Sequence, residues 1–472
     1  MTGAIERSTL YGEFLAAWPA YERTCQLDVL RQTEYSRLDR LGHSYLDYTG
    51  AGLYATRQVR EHVSLIESHV FGNPHSQNPT SAAITELIEQ CRHKILAYFN
   101  ASEDEYVAIF TANASGALKL VGEAYPFGSD GHYLLTFDNH NSVNGIREFA
   151  RTRQARISYV PLVLPEMCVD EDTLQQYLKL AQPSGHNLFA YPAQSNFSGV
   201  QHPLEWIPRA KAMGWDVLLD AAAFVATNRL DLKQWHPDFV TLSFYKMFGY
   251  PTGVGCLLAR RRALAKLRRP WFSGGTITVA SVQGDRHFLA QGASAFEDGT
   301  PNYLSIPGVE IGLRHLETIG IESIHARCHC LTGWLIPRLL SLHHANGNPL
   351  VRVYGPLTTD RRGATVTMNF YDSAGRIIDH RRVEEAATQR RISLRTGCFC
   401  NPGGGEIALR LSQSELIGCF SEHKERDSPF TPDDFRQCID GKGTGAVRVS
   451  LGIVSTFDDV FRFAELAGEF LQ

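Results

Sequence analysis

The chain has 472 residues, 43% of them hydrophobic and 20% charged, with a formal net charge of −4. That balance describes an ordinary globular protein too long for one simple core, so two lobes are expected, and it offers no basic footprint for nucleic acid. No apolar run reaches the ~18 residues needed to span a bilayer; the nearest, residues 331–344, is interrupted by Pro337 and Arg338, so no membrane partner is expected.

The first residues lack a basic segment followed by an apolar core, which points to a cytoplasmic location. The ten cysteines are therefore expected as free thiols, with catalysis or metal binding as their possible uses. Around residue 50, "YLDYTGAGLY" reads as a short strand and tight turn with no partner nearby, and the N-terminal ~50 residues are expected to fold back onto the smaller lobe.

Between about residues 105 and 260, short apolar runs alternate with longer amphipathic ones: "YVAIFT", "HYLLTF", "ARISYV", "NLFAYP", "WDVLLD", "FVTLSF" and "GVGCLLA". This alternation predicts an α/β fold with a mostly parallel sheet covered on both faces, and such sheets bind ligands at the carboxyl ends of their strands. The basic run of residues 260–270 reads as the solvated face of a helix. After Gly299 come two long helical stretches (about 303–318 and 321–345), strands at "RVYG" and "TVTMNF", a helix at about 379–390 and a closing helix at about 456–471. The polar stretch 421–434 reads as a surface loop. Residues 50–300 are thus assigned to a large domain, and residues 1–49 with 301–472 to a small α+β domain.

Several strand ends carry groups that a pyridoxal phosphate site requires. "TANASGALKL" places small residues and Ser115 between a strand and a helix, where a phosphate can approach, although small residues also serve plain tight turns. His140 follows "HYLLTF", either to stack on a flat ring or as an ordinary polar residue at a strand end. Asn196 is a donor to a phenolic oxygen or a turn residue. Asp220 ends "WDVLLD", where burial is costly unless the carboxylate meets a cation, and a protonated pyridinium nitrogen is such a cation. Lys246, in "SFYKMFGYPTGVG", either snorkels to water or sits in a pocket where its amine becomes a nucleophile. Its position one strand beyond Asp220 lets both meet one ligand, which favours the nucleophile, with Ser243 beside the phosphate.

"RTGCFCNPGGGE" sets Cys398 and Cys400 two apart in a segment rich in Gly and Pro. A catalytic thiol, half of a metal site and incidental cysteines are the readings; neither this CxC nor "CHC" at 328–330 supplies a zinc set.

The ordered motifs "SNFSG", "LLDAAAF", "SFYKMFGYPTGVG", "FEDGTPNY", "RTGCFCNPG" and "GAVRVSLGIVSTFDD" resemble those of the aminotransferase class V, cysteine desulfurase-like family, and most of all the N-terminal domain of its molybdenum cofactor sulfurase branch. "GNPHSQNPTS" and "YLDYTGAGLY" extend the likeness over nearly the whole chain. The resemblance implies fold type I of the transferases that depend on pyridoxal 5′-phosphate. It makes Lys246 the Schiff-base lysine, pairs Asp220 with the pyridine nitrogen and stacks His140 on the ring. Asn196 would contact the ring oxygen and the substrate, while Ala114, Ser115 and Ser243 hold the phosphate. Thr276 would reach the phosphate of a neighbouring subunit, implying a homodimer, and Arg448 would clamp a substrate α-carboxylate. Cys400 matches the desulfurase nucleophile, with Cys398 in reserve. The implied reaction removes sulfur from L-cysteine as a persulfide on Cys400 and passes it to an acceptor protein or small molecule. The alternative is a C–S lyase acting on a cysteine conjugate. Tyr245 and Ala223 depart from the residues many desulfurases carry there, which bears on tuning of the reaction.

Overall fold

The structure, a computed structural model, describes residues 2–423, 431, 434–435, 438–439 and 445–472. After the two-residue strand β1 (Ser44–Tyr45), the chain builds β2 (Tyr106–Thr111), β3 (His132–Thr136), β4 (Arg156–Val160), β5 (Asn187–Pro192), β6 (Asp216–Asp220), β7 (Phe239–Ser243) and β8 (Gly255–Arg260). These last seven form one sheet in the order β2-β8-β7-β6-β5-β3-β4. β3 to β7 pair in parallel, and β8 alone runs against its neighbours β2 and β7.

The apolar runs are continuous because both faces are covered. Along β6, Leu218 enters one core cluster while Val217 and Leu219 enter the other, and along β2 Val107 and Ile109 divide from Ala108 and Phe110 in the same way. Helix Ala114–Ala124 packs on one face and the long helix Ile306–Ile319 contributes to the core on the other.

A hairpin of β9 (Ile277–Ser281) and β10 (Arg286–Leu289) follows the large sheet and is exposed along its length. The remaining strands are β11 (Val351–Tyr354), β12 (Thr365–Phe370), β13 (Ile392–Ser393), β14 (Arg395–Gly397) and β15 (Ala446–Ser450). Four of them make an antiparallel sheet in the order β11-β12-β15-β14.

The segment "YLDYTGAGLY" has partners after all. β1 pairs in parallel with β13, and Asp47 bridges to Ser450 at the end of β15, so the partners lie about 350 to 400 residues away along the chain. Arg31 joins this N-terminal region to the closing helix Phe457–Gly468 through Asp459 at 2.7 Å.

Three other expectations change. The basic run forms only a four-residue helix, Arg261–Leu264; Arg261, Arg262 and Arg268 are exposed, but Arg260 pairs with Glu105, Lys266 with Asp216 at 2.6 Å, and the buried Arg269 side chain with Asp298 at 2.5 Å. Not all cysteines are free thiols, since Cys419 and Cys438, with Cα atoms 5.4 Å apart, are joined as a disulfide; spacing in sequence does not reveal that the chain returns alongside helix Gln413–His423. That helix also takes the start of the polar stretch 421–434, of which residues 424–430 and 432–433 lie outside the described residues. No described helix is long and apolar enough to cross a membrane.

Candidate active site

At the carboxyl ends of β6 and β7 lies a cavity of about 400 Å³ whose lining includes Ser115, His140, Asn196, Asp220, Ser243 and Lys246. Parallel pairing sets Asp220 opposite Thr241, so the acid and the following lysine emerge on adjacent strands. The Asp220 carboxylate accepts from the Ala222 N–H at 3.1 Å and the Thr241 hydroxyl at 3.3 Å, two neutral donors that fix it without neutralising it.

β7 passes into a short helix, Phe244–Phe248, that carries Lys246, and Gly249 ends it with φ of 79°. A side chain at Gly249 would also strike the Leu53–Tyr54 backbone at 2.4 Å, so this turn accepts only glycine. Burial pulls the Lys246 amine below its ordinary range; the charge of Arg448 adds to that pull, and Asp220 opposes it. More of this amine is thus in the unprotonated, nucleophilic form near neutral pH than in an exposed lysine.

Helix Ala114–Ala124 begins at the cavity, capped by Asn113, whose side chain accepts from the Gly116 N–H at 2.9 Å. The Ala114 N–H donates to the Ser243 hydroxyl at 3.1 Å, and the Ser115 hydroxyl meets that of Ser142 at 2.6 Å. Gly255 permits β8 to come this close, for a Cβ there would lie 2.5 Å from the Asn113 backbone. His140 accepts from the Ser142 N–H through Nδ1 at 3.1 Å; burial, with Lys246 and Arg448 nearby, lowers its proton affinity against the opposing pull of Asp220. An uncharged ring with its proton on Nε2 follows.

The thiol segment approaches from the small sheet. It leaves β14 through Phe399 and Cys400, both with φ near +55° (55° and 54°). The turn is pinned at several points: the Cys400 carbonyl accepts from the Asn141 N–H at 2.6 Å, and the Asn196 amide donates to the Phe399 carbonyl at 2.7 Å. Asn401, fully buried, donates to the Asp138 carbonyl at 2.7 Å and to the Asn196 Oδ1 at 3.0 Å. Both side-chain atoms of Asn196 are therefore engaged with this segment. Burial and the neighbouring Cys400 raise the Cys398 thiol above its usual range.

Arg448, on β15, is 3% exposed; it donates through Nη1 to the Asn196 carbonyl at 2.9 Å and lies over the Phe399 ring at 4.7 Å. Thr276 is not in the cavity. It is buried at the base of the exposed hairpin, where its hydroxyl accepts from the Ser273 N–H at 3.0 Å and donates to the Ser273 carbonyl at 2.8 Å. Sequence reasoning passed over Asp47 and Arg395, although both sit inside quoted motifs, and over Gln194, which also lines the cavity. The signal for the first two was an acid and a base each standing beside a forced turn.

The residues present fit pyridoxal 5′-phosphate. A buried carboxylate with only neutral hydrogen-bond donors suits a pyridinium nitrogen, an amine of lowered proton affinity suits an aldehyde, and a capped helix start with two hydroxyls suits a phosphate.

The fold and this strand-end site define a class. The family model for aminotransferase class V matches residues 44–463, and the chain belongs to that family. Its relatives include molybdenum cofactor sulfurases: that of Arabidopsis thaliana is 38% identical over 92% of this chain and 57% of its own length, and that of Homo sapiens 38% identical over 92% and 50%. The chain thus spans little more than half the length of these relatives. Among solved structures, the apo cysteine desulfurase of Thermococcus onnurineus NA1 superposes with a TM-score of 0.76 at 23% identity, covering 94% of this chain and 98% of its own. The cysteine desulfurase CsdA of Escherichia coli does so at 0.71 and 20%, covering 94% and 99%. The fold is type I of the pyridoxal-phosphate-dependent transferases.

Proposed function

We propose that the chain is a cysteine desulfurase of the molybdenum cofactor sulfurase kind, which takes sulfur from L-cysteine as a persulfide on Cys400 and delivers it to an acceptor. The observation that carries this reading is that Asn196, which lines the cavity with Lys246 and Asp220, joins both Arg448 and the thiol segment to it, its carbonyl accepting from Arg448 and its amide donating to the Phe399 carbonyl.

Pyridoxal 5′-phosphate, when bound, supplies an electron sink for the bond to the α-proton. Lys246, Asp220, His140, Ser115, Ser243 and the Ala114 N–H would hold it. Arg448 orients the substrate through its α-carboxylate, a task suited to the guanidinium fork. Lys246 Nζ takes the α-proton, and its lowered pKa leaves more of the amine unprotonated and available for that step. Cys400, as thiolate, accepts the substrate sulfur: one C–S bond breaks, one S–S bond forms, and L-cysteine with the Cys400 thiol becomes alanine with the Cys400 persulfide. The segment's anchorage to Asn141 and to the cavity-lining Asn196 keeps it beside the cavity, and Cys400 is exposed, as delivery of the sulfur requires.

The same reading includes a cytoplasmic homodimer and a division into a cofactor-binding body (50–300) and a smaller one (1–49 with 301–472). The exposed hairpin β9–β10, with Val279, Val282 and Phe288 bare and Trp271 and Phe272 at its base, supports the dimer, since such an apolar surface calls for a cover. Sedimentation as a monomer at micromolar concentration would remove that element.

Mass spectrometry after incubation with L-cysteine tests the function. One added sulfur on Cys400 and release of alanine are expected, with both lost in Cys400→Ser; sulfur on Cys398 alone would exchange the two thiols, and pyruvate without protein-bound sulfur would make the chain a lyase.

A further inference from the structure

The two arginines beside the cavity are joined by one carboxylate. Asp47 Oδ1 accepts from Arg448 Nη2 at 3.0 Å, while Oδ2 accepts from Arg395 Nη2 at 2.6 Å and Nε at 3.0 Å. Asp47 is buried, whereas the Arg395 side chain is 50% exposed at the start of the thiol segment.

The carboxylate is aimed by a closed turn. The Asp47 carbonyl accepts from the N–H groups of Gly50 and Ala51 at 2.9 and 3.1 Å, and a Cβ at Gly50 would stand 2.6 Å from both Arg395 Nη2 and Asp47 Oδ2, so a larger residue there would displace this pair. Two residues on, the Gly52 N–H donates to the Tyr245 carbonyl at 2.9 Å, and a Cβ at Gly52 would meet the Lys246 carbonyl at 2.8 Å. The turn therefore ties the arginine pair directly to the backbone of the lysine.

One nitrogen of Arg448 is unused. Its Nη1 is used by Asn196 and its Nη2 by Asp47, but its buried Nε has no hydrogen-bond partner among the described residues. A buried guanidinium donor without a partner is costly and marks a place where an anion would be welcome. Two cations and one anion leave a single positive charge, which matches one carboxylate and not two.

We propose that Asp47 is a positioning and specificity-determining residue: it fixes the Arg448 fork for the α-carboxylate and cancels the charge of Arg395, so that the site selects amino acids carrying one carboxylate. This rests on the desulfurase reading, in which Arg448 receives that group. Asp47 touches neither substrate nor cofactor and acts through the two arginines. Arg395 is thereby withheld from a second substrate anion until Asp47 is altered.

The test is a titration of the holoenzyme, following the visible absorbance of its cofactor, with L-alanine as a non-reacting monocarboxylate and L-aspartate as the dicarboxylate. Asp47→Ala is expected to keep the resting absorbance and to raise half-saturation by L-alanine about tenfold or more, the usual scale for removing one partner of a buried charge pair. Asp47→Asn keeps the size and an acceptor for Arg448 Nη2 but not the charge. It should bind L-alanine within about threefold of the original and lower the ratio of L-aspartate to L-alanine half-saturation at least about fivefold, through the freed Arg395. An unchanged half-saturation in Asp47→Ala overturns the positioning role, and an unchanged ratio in Asp47→Asn overturns the selectivity. If the unaltered protein responds to no amino acid at all, the desulfurase reading itself fails, which is a different result from a normal response left untouched by the substitutions.

Discussion

The cofactor side and the sulfur side of the cavity are built in opposite ways. Asp220, Ser243, Lys246 and the start of helix Ala114–Ala124 stand at or just beyond the ends of β6, β7 and β2 in one sheet, within about 130 residues of one another (129 between Ala114 and Ser243), and their geometry is set by a ladder of backbone bonds. Cys400, Arg448, Arg395 and Asp47 come from segments up to 401 residues apart: Arg395 and Arg448 face each other across β14 and β15, the Asp47 carboxylate joins the two, and the Cys400 carbonyl is held by the Asn141 N–H. The contrast teaches that a site within one sheet is set by neighbouring strands, whereas one gathered from distant segments depends on the few side chains that join them, Asp47 and Asn401 above all. Disturbing the first side should abolish everything; disturbing the second should leave a coloured protein that turns over badly.

The largest expected effect is that of Lys246→Ala. Removing the amine should erase the visible absorbance of the purified protein and lower alanine formation at least about 10³-fold, as for loss of a covalent catalyst. A variant that stays yellow and active would end the distinction between the two sides at its root. Asn401→Ala is a milder probe of the other side. It frees the Asn196 Oδ1, the Asp138 carbonyl and the Gly404 N–H at once. Absorbance should persist while turnover falls about tenfold, since the thiol is displaced rather than removed; equal loss of colour would show that the two sides are not separable.

The smallest effect concerns the N-terminal cover that delivers Asp47. Tyr35 in that cover bonds His315 of helix Ile306–Ile319 at 3.0 Å, and burial pushes His315 down to about 4. An unfolded histidine takes up a proton near pH 6.5, which the folded one declines until about pH 4, so stability should fall as pH drops through that window. The loss at pH 5 relative to pH 7.5, followed by thermal unfolding, should be partly removed by His315→Gln; an identical pH dependence in that variant would show that His315 does not report on the cover.

The large sheet was readable from sequence because strands buried on both faces leave continuous apolar runs, and "YVAIFT" and "NLFAYP" match β2 and β5 residue for residue. Asp220 and Lys246 could be found for a related reason: a charge that interrupts such a run needs an explanation. Asp47 gave no comparable sign. Its strand is two residues long and its partners, Arg395 and Arg448, are separated from it by most of the chain, so neither periodicity nor spacing could pair them. Arg269 and Lys266 show the same blindness in reverse, since a basic run looks solvated until the acids facing it are known.

The border position of β14 has a mechanical meaning. Only three residue pairs fasten it to β15, and among the described residues no strand of the small sheet pairs with its other flank. The cysteine that follows is thus mounted on the outermost slat of a blind rather than on its frame. In the proposed reaction, sulfur would therefore be loaded at the rim of the small sheet, on an exposed residue that a recipient can reach without entering the large one.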